Sequence, residues 1–112
     1  MKVLVSEPIA QKGIDKLIQE GATVDVKPNL TRQELLAIIG EYDALIVRSN
    51  TIVDEELYQA ATRLKVVGRA GNGVDNIDMD GATKRGIIVV NTPESNIISA
   101  AELTIGLLLA TC

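Results

Sequence analysis

Three short stretches carry residue types that could do chemistry. In Val47-Arg48-Ser49-Asn50-Thr51, a guanidinium, a hydroxyl and an amide directly follow an apolar run. An arginine grips a carboxylate or phosphate through two parallel N–H bonds, and Ser49 and Asn50 can complete the shell. Arg48 reads equally as a solvated loop residue, with Thr51 capping the next helix. The second stretch is Gly68-Arg69-Ala70-Gly71-Asn72-Gly73-Val74-Asp75-Asn76. Gly71 and Gly73 let backbone N–H groups converge into an anion nest, with Arg69 beside them. Asn72-Gly73 is also the wording of a plain tight turn. It is not the dinucleotide fingerprint G-x-G-x-x-G, because Asn76 stands where the third glycine belongs. In the third, Asn91-Thr92-Pro93-Glu94-Ser95-Asn96, either Ser95 or Asn96 can cap the following helix, and a ligand anion could share those N–H groups. Ser99 and Glu102 form a second capping-box pattern, so Glu102 reads as structural rather than catalytic.

Composition narrows that chemistry. The chain has 112 residues, enough for one domain, and is 46% hydrophobic and 23% charged, so it is a globular chain. It contains no histidine, which removes histidine triads, proton shuttles and histidine metal sites. Its single cysteine is Cys112, which leaves no internal disulfide or zinc ribbon and fits a reducing compartment. A net charge of −4 argues against nucleic-acid binding. The only aromatics are Tyr42 and Tyr58, too few for base- or sugar-stacking platforms. No signal-peptide core follows Met1-Lys2, and the longest apolar stretch, Leu103 to Cys112, is far below the roughly 20 residues of a membrane span. The expectation is a cytoplasmic protein.

The elements that must position these loops alternate between strand and helix. Val3–Val5 is a short strand, and the apolar spacing of Ile14, Leu17 and Ile18 predicts a helix over 8–20, with Pro8 at its first position and Gly21 as its stop. Thr23–Lys27 alternates as an edge strand does. Thr31 and Glu34 spell a capping box, Leu30 and Leu35 a hydrophobic staple, and Gly40 a stop. Ala44–Val47 is continuously apolar, as in a central parallel strand covered on both faces. A helix over 54–61, a strand over 64–68, a helix over 78–85 closed by Gly86, a strand over 87–90 and a helix over 95–112 complete the pattern. Five β–α pairs predict an open parallel sheet with helices on both faces and ligands at the strands' carboxyl ends. A phosphoacceptor receiver needs acidic residues where Val47-Arg48-Ser49 stands, and a flavodoxin needs aromatics in these loops; both are excluded.

The 95–112 helix is apolar all round, from Ile97 through Leu103 to Ala110. Such a helix must be buried on all sides. Either a homo-oligomer covers its free face, or it passes into a further domain.

Taken in order, Leu64–Asp78, Ala82–Ile87, Asn91-Thr92-Pro93 and Ser99–Thr104 resemble the D-isomer-specific 2-hydroxyacid dehydrogenases over the whole chain, with wording most like the members that act on a phosphorylated hydroxyacid. The resemblance implies a flavodoxin-like substrate-binding domain at 1–94, followed at 95–112 by a helix crossing to an NAD-binding Rossmann domain. It implies that Arg48, Ser49, Arg69, Gly71, Asn72, Gly73 and Asn96 hold a small 2-hydroxyacid, with Asn72 also on the nicotinamide side. The family's glycine-rich fingerprint and its catalytic Arg, Glu and His have no counterpart here. The implied parent is an NAD-dependent enzyme, and these 112 residues alone are expected to be inactive, with no nucleic-acid or membrane partner. A stand-alone anion-binding or dimerising α/β module is the alternative.

Overall fold

Short apolar runs separated by capped amphipathic segments build one parallel sheet. The structure is a computed structural model that describes residues 2–8, 11–19, 21–71 and 75–92. Its strands are β1 (Lys2–Val5), β2 (Thr23–Val26), β3 (Ala44–Val47), β4 (Val66–Ala70) and β5 (Ile88–Thr92), and its helices are α1 (Gln11–Gln19), α2 (Arg32–Ile38), α3 (Glu55–Ala60) and α4 (Met79–Arg85). The strands lie in the order β2-β1-β3-β4-β5, all neighbours parallel. This is the flavodoxin-like arrangement, whose topological switch point falls between β1 and β3.

Strand alternation sorts the core into two faces. Leu4, Leu45, Val47 and Val67 pack with Leu35, Leu57, Tyr58 and Ala82 of α2, α3 and α4. Val3, Val5, Ala44, Ile46 and Val66 pack with Leu17 of α1. β3, in the middle, is buried at every residue, whereas the edge strand β2 is half-exposed. Both match the readings of their sequences.

Local signals account for most helix ends. Thr31 and Glu34 form both bonds of the capping box, Asp54 and Asp78 cap α3 and α4, and Gly86 closes α4 in a left-handed conformation. Four details differ from the sequence reading. Pro8 lies before α1, whose described part is Gln11–Gln19; residues 9, 10 and 20 lie outside the described residues. Gly40 does not stop α2 by a left-handed turn. It sits in a 3-10 turn, Ile39–Glu41, where a Cβ would come within 2.9 Å of the Ala60 carbonyl oxygen. β4 runs from Val66 to Ala70, because pairing with β3 carries on to Val47↔Arg69. β5 runs to Thr92, because pairing with β4 carries on to Ala70↔Thr92. The expected helix over 95–112 lies outside the described residues.

Both tyrosines are buried with their hydroxyls donating: Tyr42 to Asp25 Oδ2 at 2.7 Å and Tyr58 to the Asp78 carbonyl at 2.9 Å. Burial, reinforced by Asp25 at Tyr42 and Asp78 at Tyr58, pushes each phenol up to about 12. The folded state thus prefers the neutral phenol. That contribution is complete below the ordinary value of 10 and is lost as pH rises through about 12. With no tryptophan present, absorbance at ~295 nm reads the two groups directly. Ionisation is expected near 12, together with or after loss of secondary structure; a reversible step near 10 in folded protein contradicts it.

Candidate functional site

The parallel sheet brings the carboxyl ends of β1 and β3 side by side at the switch point. There the loop Arg48–Thr51 leaves β3 and meets Ser6 and Glu7 leaving β1. Glu7 is 6% exposed. Its Oε1 accepts the Asn50 N–H at 3.0 Å, and its Oε2 accepts the N–H groups of Thr51, at 3.3 Å, and of Arg48. The Ser6 and Thr51 hydroxyls are 2.9 Å apart and share a hydrogen bond. Thr51 therefore braces β1 and does not cap the next helix; Asp54 does that.

Asn76 holds the same loop by its carbonyls. Its Nδ2 donates to the Arg48 carbonyl at 2.7 Å and to the Thr51 carbonyl at 2.6 Å. Val53 and Ile77 form a parallel bridge just beyond, closed by Val53 N–H to the Asn76 carbonyl and Asp78 N–H to the Val53 carbonyl, each at 2.8 Å. The loop is thus fixed through N–H groups on one strand's account and carbonyls on another's. Its side chains Arg48, Ser49 and Asn50 are left exposed. Arg48 Nη1 also reaches the Pro8 carbonyl at 3.4 Å.

Arg69 differs in kind. It belongs to β4, in register with Val47 of β3 and Asn91 of β5, and is 8% exposed. Its Nε and Nη1 are buried with no hydrogen-bond partner among the described residues. A guanidinium stays charged at any ordinary pH, and a buried charge without a partner costs several kcal/mol. An anion taken up at this edge relieves that cost. Three other arginines are matched within the fold: Arg32 to Asp54 and Glu56, Arg63 to Asp43, Arg85 to Glu55.

Gly71 follows with φ +142, a conformation only glycine adopts readily, although a Cβ there would meet nothing within 4 Å. The chain needs glycine here to turn, not for space. Of the seven residues expected to hold a ligand, the structure brings Arg48, Ser49, Arg69 and Gly71 to one edge. Asn72, Gly73 and Asn96 lie outside the described residues. Glu7 and Asn76 were not singled out by the sequence, since their partners are 25 to 44 positions away. On its other flank, Asn50, Thr51 and Ile52 line a cleft of about 380 Å³ with Leu30 and Arg32, whose arginine is held by Asp54.

The described residues do not fit a dinucleotide: Asn76 occupies the fingerprint's third glycine position, and its side-chain NH2 is committed to the loop. Among the described residues, no cluster of three or more metal-ligating side chains occurs and no helix is long and apolar enough to cross a membrane.

A flavodoxin-like sheet with an arginine-bearing, internally braced loop at its switch point defines an α/β domain of the flavodoxin-like class. The sequence profile of the D-isomer-specific 2-hydroxyacid dehydrogenase catalytic domain matches residues 3–110, and the chain belongs to that family. D-3-phosphoglycerate dehydrogenase of Archaeoglobus fulgidus is 54% identical over 110 residues, covering 98% of this chain and 21% of that protein. The human enzyme of the same name is 47% identical over 109 residues, covering 96% and 20%. The chain thus spans about one fifth of the length of these curated relatives. NAD+-bound 3-phosphoglycerate dehydrogenase from Entamoeba histolytica superposes with a TM-score of 0.74 at 35% identity, covering 96% of this chain and 38% of that one. A Pyrococcus horikoshii crystal structure gives 0.78 at 34% identity, covering 94% and 31%.

If Asn76 holds the loop, Asn76→Ala, which leaves two carbonyls unpaired, lowers stability by about 2–3 kcal/mol in urea unfolding. Asn76→Asp, which sets a carboxylate against those carbonyls, is expected to cost at least as much. A loss below about 0.5 kcal/mol, the usual size at an uninvolved surface position, contradicts the role.

Proposed function

We propose that this chain is the substrate-binding portion of an NAD-dependent D-3-phosphoglycerate dehydrogenase. The parent reaction is the oxidation of 3-phosphoglycerate to 3-phosphohydroxypyruvate, at the start of serine synthesis. The observation that carries the reading is Arg69: a buried guanidinium with two donors unpaired among the described residues, one register step from an exposed arginine on a fixed loop. A substrate bearing a carboxylate and a phosphate is the kind of ligand two such cations suit. Its relatives' names supply the particular hydroxyacid.

In this reading residues 1–94 form the substrate-binding domain and 95–112 a helix leading to a cofactor domain. Arg48 and Ser49 grip the anionic groups from the loop, and Arg69 compensates charge from below. Gly71, Asn72 and Gly73 face the substrate carboxylate, Asn72 also faces the nicotinamide, and Asn96 completes the substrate contacts. Bound NAD supplies the hydride acceptor from the cofactor domain. No residue here is assigned the proton transfer: the chain has no histidine, Glu7 is engaged by the loop's N–H groups, and Asp54 caps α3 and pairs with Arg32.

In the full-length enzyme, Arg48→Ala removes a charged hydrogen bond worth about 1.5–3 kcal/mol, so KM for 3-phosphoglycerate is expected to rise roughly tenfold to hundredfold. Unchanged KM makes Arg48 an ordinary loop residue. The 112-residue chain alone is expected to produce no NADH from 3-phosphoglycerate and NAD; production of NADH overturns its assignment as a partial site.

A further inference from the structure

Glu7 stands apart from the other acids of the carboxyl edge. Asp54 caps α3 and pairs with Arg32, and Glu56 reaches the same arginine. Glu7 instead lies buried at the end of β1 and collects three backbone N–H groups from one four-residue span, those of Arg48, Asn50 and Thr51. Successive N–H groups converging on one carboxylate are what a backbone nest offers an outside anion. Here the anion is internal and covalently attached through β1.

Two consequences follow. First, three of the loop's four amides are already occupied by Glu7, so an incoming anion is read chiefly by side chains, the exposed Arg48 and Ser49. Second, the curvature of the loop, and with it the direction of those side chains, depends on the length and charge of Glu7. A glutamine in its place keeps one acceptor oxygen and turns an NH2 donor toward N–H donors, so the three bonds cannot all persist. Asn76 does not substitute for this hold, because it binds only the carbonyls at positions 48 and 51. The arrangement also answers an electrostatic difficulty. A carboxylate under an anion-gripping loop repels the anion unless its charge is taken up locally, and three N–H dipoles aimed at it do so.

We propose that Glu7 is a positioning residue for the substrate anion: it sets the Arg48–Ser49 grip by filling the loop's amide nest. The inference rests on the reading of Arg48 and Ser49 as substrate-holding groups. It assigns Glu7 no contact with substrate and no proton transfer.

The test uses the full-length enzyme with Glu7→Gln and Glu7→Ala, assayed with 3-phosphoglycerate and NAD. A variant that merely folds less well loses active molecules, which lowers apparent kcat and leaves KM alone. A positioning role raises KM, by about tenfold or more for three charge-assisted bonds, with kcat affected much less. In Glu7→Ala, sodium formate is expected to re-enter the nest and bring KM back toward the wild-type value, whereas neutral formamide and sodium chloride at equal concentration do not. Unchanged KM in Glu7→Gln, a fall in kcat alone, or equal effects of formate and formamide each overturn the proposal. In parallel, the amide proton resonances of Arg48, Asn50 and Thr51 in this chain are expected to move upfield in Glu7→Gln, while those of β1 stay in place. If wild-type enzyme turns over no 2-hydroxyacid yet these three amides move, the substrate reading fails and the carboxylate's hold on the loop stands. If they do not move, the inference fails whatever the activity.

Discussion

The carboxyl edge of this sheet depends on one buried carboxylate. Glu7 ties β1 to the loop after β3 through three N–H groups, and Asn76 ties the stretch after β4 to the same loop through two carbonyls. Loops at strand ends are usually the mobile parts of such folds. This one has three backbone N–H groups bonded to β1 and two carbonyls bonded to the stretch after β4, so its side chains project from a fixed base. The tie falls at the switch point, where the strand order leaves a crevice between β1 and β3. A rigid base is what a ligand grip needs, because ordering a loop at the moment of binding subtracts from affinity.

Charge is distributed unequally between the two edges. At the amino edge Asp43 accepts the Lys2 backbone N–H and pairs with Arg63. Those groups stabilise the fold by satisfying one another. At the carboxyl edge Arg69 keeps two buried donors without partners among the described residues. A folded chain tolerates such a group at a cost in stability, and functional sites are where that cost is found. Arg69, rather than any single motif, is what supports the proposed anion on the carboxyl side.

Parts of this were legible in the sequence because their partners are close in the chain. The Thr31–Glu34 capping box lies within one turn, and the unbroken apolar run of β3 states that both its faces are covered. Gly40 reads as a helix stop from its own segment alone, which gives no view of Ala60, whose carbonyl oxygen leaves no room for a side chain. The glycines around Arg69 spell a loop, yet pairing with Val47 and Asn91 keeps it in β4, where it is buried. Glu7 and Asn76 carried no local signal at all. Their roles exist only once β1, β3 and β4 are laid side by side, which a spacing pattern in one segment does not specify.

A substrate half-site preformed within these 112 residues is tested most directly by calorimetric titration of the chain, folded by circular dichroism, with 3-phosphoglycerate and then NADH at low salt. The predicted result is saturable binding of the phosphoglycerate, weakened about tenfold or more by Arg69→Met, and no heat from NADH. A folded chain that binds neither ligand, or that binds NADH and not the phosphoglycerate, contradicts it.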